Sequence, residues 1–376
     1  MRFAEFFAGG GMARAALGAD WECVLANDID ALKCEAYRTN WGGEDLLEGD
    51  VADLDIENLR QPIDLYWASS PCQDFSLAGK GAGLKGSRSG TFFPWISKLR
   101  QAVREGYGPK IVAFENVSGL VTRRKGEDFF QVVAAFTSLG YRVGAMEIDA
   151  KFFVPHSRKR LFLVAVRADI PIAGTLTQSV PTEPFHSQAI RKFVSSHPSV
   201  SKEWLWWRLP PIPANNSSLI DILDDQYDHR WFSLEKVDYL LSIMSDTNRQ
   251  KVENARSVER LVVGTIYKRG RPDETGQVRQ RAEVRFDGIA GCLRTPAGGS
   301  SRQTLLFING AETRARLVSP REAARLMGLD DGYVLPENYN AAYKLAGDGL
   351  AVPVVRFLAD HLLQPLVVEN SQERLA

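Results

Sequence analysis

Phe3-Ala4-Glu5-Phe6-Phe7-Ala8-Gly9-Gly10-Gly11-Met12-Ala13-Arg14-Ala15-Ala16-Leu17 reads as a buried strand, a glycine turn and an Ala-rich helix, the opening unit of an α/β sheet. The turn lets the backbone approach a nucleoside closely and offers amides at a helix N-terminus. It lacks the Gly-x-Gly-x-x-Gly spacing of a pyrophosphate-binding turn, which favours a cofactor without phosphates over a nicotinamide dinucleotide. A second apolar stretch, Trp21-Glu22-Cys23-Val24-Leu25-Ala26, ends in Asn27-Asp28-Ile29-Asp30. Asp28, about twenty residues beyond the glycines, suits ribose hydroxyls, and Asp30 suits the N-cap of the next helix. Leu46-Leu47-Glu48-Gly49-Asp50-Val51 adds Asp50, which reads as an acceptor for an adenine amino group or as a turn aspartate.

Further along, Ser69-Ser70-Pro71-Cys72-Gln73-Asp74-Phe75-Ser76 follows the apolar run Ile63-Asp64-Leu65-Tyr66-Trp67-Ala68, so a thiol stands where a strand gives way to a loop. Residues 77–90 carry five glycines with Lys80, Lys85 and Arg88 and read as a cationic flap rather than core. A lone cysteine is more often buried packing than a nucleophile, so its neighbours must decide. Lys110-Ile111-Val112-Ala113-Phe114 is another β-rich run and ends in Glu115-Asn116-Val117. In a parallel sheet the C-terminal strand edges line one crevice, where Cys72 and Glu115 can face one substrate. A strand-end glutamate satisfied by its neighbours is the alternative. Val154-Pro155-His156-Ser157-Arg158-Lys159-Arg160 leads into a further strand, 161–166. Alternation sets Arg158 and Arg160 on one side, for an anionic or carbonyl-bearing substrate or for surface ion pairs.

At 376 residues the chain exceeds a typical single domain, and its 44% hydrophobic content can fill a sizeable core. Lys plus Arg equal Asp plus Glu at 46 each, so a polyanion must be met by a local patch. Cys23, Cys34, Cys72 and Cys292 show neither metal spacing nor a disulfide framework, which predicts free thiols, a reducing compartment and no structural metal. No run approaches bilayer length and no signal peptide opens the chain, so a cytoplasmic protein with no membrane partner is expected.

Beyond Arg167 the strand-helix alternation yields to Pro-, Ser- and Trp-rich sequence, which predicts a domain boundary near residue 172. Residues 255–303 hold ten Lys and Arg against five Asp and Glu, including Arg269, Arg279, Arg281, Arg294 and Arg302. That surplus reads as a phosphate-binding face or as an ordinary solvated β-rich surface. Leu293-Arg294-Thr295-Pro296-Ala297-Gly298-Gly299-Ser300-Ser301-Arg302-Gln303 is a glycine-serine loop bracketed by arginines. Ser319-Pro320, closed by Gly328, punctuates a short helix. Gly347-Asp348-Gly349 precedes an apolar helix, 350–363, that returns the chain to its opening sheet.

In order and spacing these motifs resemble the DNA (cytosine-5)-methyltransferase family, bacterial or phage type, over nearly the whole chain. Phe7-Ala8-Gly9-Gly10-Gly11 resembles its cofactor loop, Pro71-Cys72-Gln73 its nucleophile motif and Glu115-Asn116-Val117 its acid motif. Arg158-Lys159-Arg160 resembles its paired arginines, the Ser319-Pro320 helix its late helix and Gly347-Asp348-Gly349 its closing motif. The resemblance implies a Rossmann-like, mostly parallel α/β methyltransferase domain over 1–172. A smaller, irregular β-rich target-recognition domain with the hinge is implied over 173–336, and a returning segment over 337–376. It implies S-adenosylmethionine as donor, contacted by Phe7, Ala8, Gly9, Gly10, Gly11, Asp28, Ile29, Asp50, Val51, Pro71, Asp348 and Gly349. Cys72 is then the nucleophile toward cytosine C6, Glu115 the proton partner of N3, Arg160 the clamp on O2 and Arg158 an ordering residue. Duplex DNA is the expected partner of a monomer, with a separately encoded restriction endonuclease possible. Its contacts are expected from Ser76, Lys80, Lys85, Arg88, Arg269, Arg279, Arg281, Arg294, Ser300, Ser301, Arg302 and Gln303, with the cytosine flipped out of the stack.

Two residues depart from the family pattern. His156 stands where glutamine is usual, and Asp348 where asparagine is usual, which sets a negative charge near a cationic sulfonium. Competing readings are an RNA methyltransferase of the same family, a nicotinamide-dependent oxidoreductase and a non-catalytic DNA-binding regulator. The first is separated by substrate, the second by the glycine spacing, and the third by the presence of Cys72, Glu115 and Arg160 together.

Overall fold

A computed structural model describes residues 1–71, 89–227, 230–272, 276–293 and 302–372. They form two compact units, one of 1–149, 159–212 and 352–376 and one of 150–158 and 213–351. In the first unit the opening apolar run becomes β1 (Arg2–Phe6), joined by β2 (Glu22–Asp28), β3 (Leu46–Glu48), β4 (Leu65–Ala68), β5 (Ile111–Val117), β6 (Tyr141–Asp149) and β7 (Lys159–Arg167). The order is β3-β2-β1-β4-β5-β7-β6. The first five strands in that order are parallel, and β7 runs antiparallel to both neighbours. The chain adds β2 and β3 on one side of β1 and β4 on the other. Their C-terminal ends therefore form a topological switch point, where open α/β sheets bind ligands.

Helix Phe92–Arg104 covers one face of this sheet, because Phe92, Trp95, Ile96 and Leu99 fall on a single stripe and are buried. Trp95 stacks on Phe114 at 5.9 Å, and Phe92 meets the same ring edge-on at 5.3 Å. Helix Met12–Leu17 contributes Met12, Ala13, Ala16 and Leu17 to burial. The Arg356 guanidinium of helix Val352–Leu358 donates to the carbonyls of Leu17 and Ala15. The last segment thus returns to the opening unit, from Val352 onward.

The first unit extends beyond the expected boundary, to residue 212 rather than 172. The physical reason is backbone pairing onto β6. Leu205 N–H donates to Val143 O at 2.8 Å, and Glu147 N–H donates to Phe185 O at 2.8 Å. A side chain at Gly144 would stand 2.2 Å from Leu205 O and 2.5 Å from Trp207 Nε1, so glycine permits this approach. The Pro-, Ser- and Trp-rich texture marks an edge cover of short pieces, including β8 (Thr177–Gln178) and β9 (Trp206–Trp207).

The second unit is built on an antiparallel sheet of β10 (Val262–Pro272), β11 (Val278–Arg285), β12 (Thr304–Asn309) and β13 (Glu312–Leu317), in the order β11-β10-β12-β13. Helix Pro320–Leu326 has the expected Ser319 cap, with a capping box completed by Glu322. Glu322 also receives two bonds from Arg316, at 2.6 and 2.8 Å. Helix Tyr339–Asp348 belongs to this unit, so the returning segment starts after it.

One expectation is corrected. The run Tyr339–Val368 is long and apolar enough to cross a bilayer by length and composition. Its apolar residues serve packing instead, since Tyr343, Ala346, Val355, Leu358, Leu362 and Leu363 are buried inside the protein.

Candidate active site

In the first unit the glycine turn leaves the C-terminal end of β1 through Phe7, whose φ is 58°, and Gly9, at 57°. A left-handed conformation costs an aromatic residue of order 1–3 kcal/mol and is held by its surroundings. Here the tethers are on both sides. Ala8 N–H donates to Asn27 O at 2.9 Å, and Gly9 N–H donates to Asp28 Oδ2 at 2.8 Å. The other Asp28 oxygen accepts from Asp30 N–H at 2.8 Å, so this nearly buried carboxylate shapes the turn. Trp41 Nε1 donates to Gly10 O at 3.0 Å, and a Cβ at Gly11 would stand 2.4 Å from that nitrogen. Asp30 caps helix Ala31–Trp41, as expected from sequence. Asp50 accepts from Ala52 N–H at 2.9 Å, the geometry of a capping turn aspartate. Ile29, beside Asp28, is 67% exposed. Val51 is buried and Pro71 exposed.

Beneath the turn lies a residue that the sequence reading did not single out. Glu5 is 2% exposed, and its carboxylate takes the amides of Ala13 and Arg14 in a helix whose own N-cap is Gly11, without a side-chain cap. Burial pushes the Glu5 carboxyl up to about 8, opposed by those amides and the Arg14 charge. Arg14 also donates to Tyr37 Oη at 2.8 Å and to Asp45 at 2.5 Å, and Cys23 Sγ lies 3.5 Å from Tyr37 Oη. An acid before a glycine turn was the available signal, and its i, i+2 relation to Phe7 masked it among the apolar residues.

At the other side of the switch point, Ser69 N–H donates to Phe6 O, and β4 pairs with β5 through Ala68 and Phe114. Asn116 is buried and donates from Nδ2 to Ser70 Oγ at 3.2 Å and Ser70 O at 3.4 Å. The acid motif therefore ties down the residues leading to Cys72. Glu115 lies within β5 rather than past its end, because pairing with β7 continues to Val117. Arg160 pairs opposite Val117, and its Nε reaches Glu115 Oε1 at 3.2 Å. Both side chains are largely buried, and an acid and a guanidinium from neighbouring strands meet at one sheet edge. Burial pushes the thiols of Cys23 and Cys34 up, which leaves neither ionised near neutral pH.

In the second unit Arg158 is buried, donates to Gly349 O at 2.5 Å and reaches Cys292 Sγ at 3.8 Å. Asp348 pairs with Lys344 at 3.3 Å. Strands β10 and β11 set Arg269 opposite Arg281 and Arg271 opposite Arg279. The pleat gathers all four exposed arginines on one face with Tyr267 and Glu283. Like charges placed directly opposite are destabilising. Glu283 lies 2.7 Å from Arg271 and 3.7 Å from Arg269, and Arg269 stacks over Tyr267 at 4.7 Å. Gln303, expected among the DNA contacts, is instead buried and donates to Ile266 O at 3.3 Å, which corrects that expectation: its amide completes the sheet. Arg302 is held by Asn340 and lies 5.2 Å over Tyr339. Cys72, Ser76, Lys80, Lys85, Arg88, Arg294, Ser300 and Ser301 lie outside the described residues.

A family model for C-5 cytosine-specific DNA methylases matches residues 1–364. The type II methyltransferase M.BanI of Aneurinibacillus aneurinilyticus is 26% identical over 98% of this chain and 97% of its own. M.HhaI of Haemophilus parahaemolyticus is 26% identical over 96% of this chain and 93% of its own. The crystal structure of the S. pombe Dnmt2 methyltransferase covers 97% of this chain and 99% of its own, with a TM-score of 0.58 at 18% identity, a likeness of fold. The sheet order, the Glu115–Arg160 pair and the family match over residues 1–364 lead to one conclusion: the chain belongs to the C-5 cytosine-specific DNA methylases and is a DNA cytosine-5 methyltransferase.

Proposed function

We propose that the chain transfers a methyl group from S-adenosylmethionine to C5 of a cytosine flipped out of a specific duplex sequence, through a covalent bond from Cys72 to C6. The observation that carries this reading is the Glu115–Arg160 pair at the edge of β5 and β7, beside the Asn116–Ser70 bonds two residues before Cys72. The Cys72 thiolate adds to C6, and Glu115 shares a proton with N3, so the electron pair released into the ring makes C5 nucleophilic. Arg160 holds O2 and Glu115 together. After C5 has gained the methyl, its proton leaves and the Cys72 sulfur is expelled, which restores the ring.

S-adenosylmethionine supplies a methyl group on a positively charged sulfur. A nucleoside fits the first unit. Phe7 to Gly11 form a turn without bulky side chains at the glycines, Asp28 is read as an acceptor for hydroxyls and Asp50 for an adenine amino group, and exposed Ile29 offers an apolar surface for a base. Val51 and Pro71 are read as further cofactor contacts in this unit, and Asp348 and Gly349 as contacts offered by the closing motif. The Lys344 ammonium beside Asp348 reduces the charge this acid can direct at a sulfonium.

The four-arginine face of β10 and β11 is read as a contact for DNA phosphates; Ser76, Lys80, Lys85, Arg88, Arg294, Ser300, Ser301 and Arg302 are read as further DNA contacts from the sequence alone. Residues 173–336 are accordingly read as the target-recognition part with the hinge. The protein is read as a cytoplasmic monomer, alone or beside a separately encoded endonuclease.

Cys72→Ser is expected to abolish methylation of DNA while leaving S-adenosylhomocysteine binding unchanged, and a 5-fluorocytosine duplex is expected to trap an adduct on Cys72. An active Cys72→Ser enzyme overturns the mechanism. Preferential labelling of transfer RNA over duplex DNA would support the RNA reading instead.

A further inference from the structure

The connection that leaves the C-terminal end of β5 runs through the short helix Gly119–Thr122 to helix Glu127–Thr137, and it carries three consecutive cations, Arg123, Arg124 and Lys125. Its backbone is bent in a way these residue types disfavour. Arg124 stands at φ 47° and ψ 40° and Lys125 at φ 59° and ψ 26°, a left-handed conformation that glycine or asparagine takes at lower cost. Arg124 and Lys125 are exposed and Arg123 is half-buried. Two anchors hold the bend. The Arg124 guanidinium donates to Oδ1 of fully buried Asp128 at 3.3 Å and lies 3.5 Å from Glu127. Gly126, at φ 91°, sits where a side chain would meet the Phe193 ring at 3.4 Å and the Val121 carbonyl at 3.5 Å. Arg124 therefore serves the turn, and Arg123 and Lys125 flank it.

The place of this turn follows from the topology. Connections that follow parallel strands gather at the sheet edge where ligands bind, and this one starts directly after Val117, the residue that pairs with Arg160. Glu115 and Arg160 meet at the same edge. A cytosine held by that pair stays bonded to its own strand, so the phosphates on either side of it lie one nucleotide away. The chain as a whole is neutral, with 46 Lys and Arg against 46 Asp and Glu, and phosphates at this edge have to be met by local cations.

We propose that Arg123 and Lys125 form a phosphate clamp on the DNA strand beside the flipped cytosine, with Arg124 and Asp128 as the anchor that presents them. This rests on the reading of Glu115 and Arg160 as the cytosine site. It adds a DNA-contacting surface in the first unit to the arginine ribbon of the second. The two surfaces differ in what they sense. The clamp engages only where a base has entered the site, whereas the ribbon arginines meet the phosphates of any duplex.

The test is equilibrium binding of a target and a non-target duplex by the full-length chain across a salt series, in saturating S-adenosylhomocysteine, with Arg123→Gln combined with Lys125→Asn. Asparagine removes the charge and accepts the left-handed backbone. On the target duplex the variant is expected to bind about tenfold more weakly and to lower the slope of log affinity against log salt by about 2, one for each lost phosphate contact. The non-target duplex and S-adenosylhomocysteine should stay within about twofold of wild type. If the double variant does not fold, Lys125→Asn alone is expected to lower the target slope by about 1. An unchanged slope beside a steep wild-type slope overturns the clamp and leaves the cytosine site standing. Equal weakening of both duplexes overturns its placement beside the flipped base. A Glu115→Gln enzyme that methylates the target duplex at the wild-type rate would remove the cytosine-site reading on which the clamp rests.

Discussion

Replacing Glu5 by glutamine isolates the energetic weight of one buried carboxyl under the glycine turn. Glu5 rises from an ordinary value of 4.5 to about 8, first because burial penalises its charged form. The amides of Ala13 and Arg14 and the Arg14 guanidinium offset part of that penalty. The sign follows from proton linkage. Between pH 4.5 and 8 the unfolded chain has released this proton and the folded chain retains it. The contribution to stability is therefore complete below 4.5 and is lost as pH rises through about 8. At about 1.4 kcal/mol per pKa unit the full window is worth roughly 5 kcal/mol, and about 3 kcal/mol of it falls between pH 5 and pH 7.5. Glutamine is neutral throughout, and its oxygen can accept from the same two amides. Urea unfolding of both proteins across this range should show the variant gaining on wild type with pH by about that amount. A difference between the two that stays constant with pH refutes the reasoning. S-adenosylhomocysteine binding followed in parallel should show little change at pH 6, where both side chains are neutral in the fold.

Arg316→Ala should destabilise the second unit by about 3–5 kcal/mol, measured by thermal or urea unfolding, because it strands the fully buried Glu322 carboxylate. A loss below about 1 kcal/mol would mean that the capping amides alone satisfy Glu322. On the DNA side, Arg279→Ala with Arg281→Ala should weaken target and non-target duplexes alike and lower the slope of log affinity against log salt by about 2. An unchanged slope removes the ribbon from the DNA contact.

The opening strand, turn and helix were legible because each follows a local rule: an apolar run, glycines and Ala-rich helix formers. The Asp30 and Ser319 caps were legible for the same reason. The boundary near residue 172 was not, because residues 185 and 205 are bound by hydrogen bonds to β6, and backbone pairing carries no compositional mark. Gln303 was assigned to DNA from its chemical type alone, yet the sheet uses its amide internally. Glu5 escaped notice for the converse reason, since a single acid in an apolar run looks like an ordinary strand residue until a helix end is packed against it.

By itself the sequence determined the class of fold and the family, since strand and helix periods, turn glycines and the motif order are properties of neighbours along the chain. Only the tertiary structure decided which groups meet. The Glu115–Arg160 pair depends on the antiparallel insertion of β7 beside β5, and the four-arginine face on the register of β10 against β11. The two ring-nitrogen hydrogen bonds of buried His156, with Leu293 N–H and Leu326 O, join residues 137 and 170 positions apart. Such contacts arise from register and from burial of distant segments against one another, and a one-residue slip in a strand would turn every one of its side chains to the opposite face.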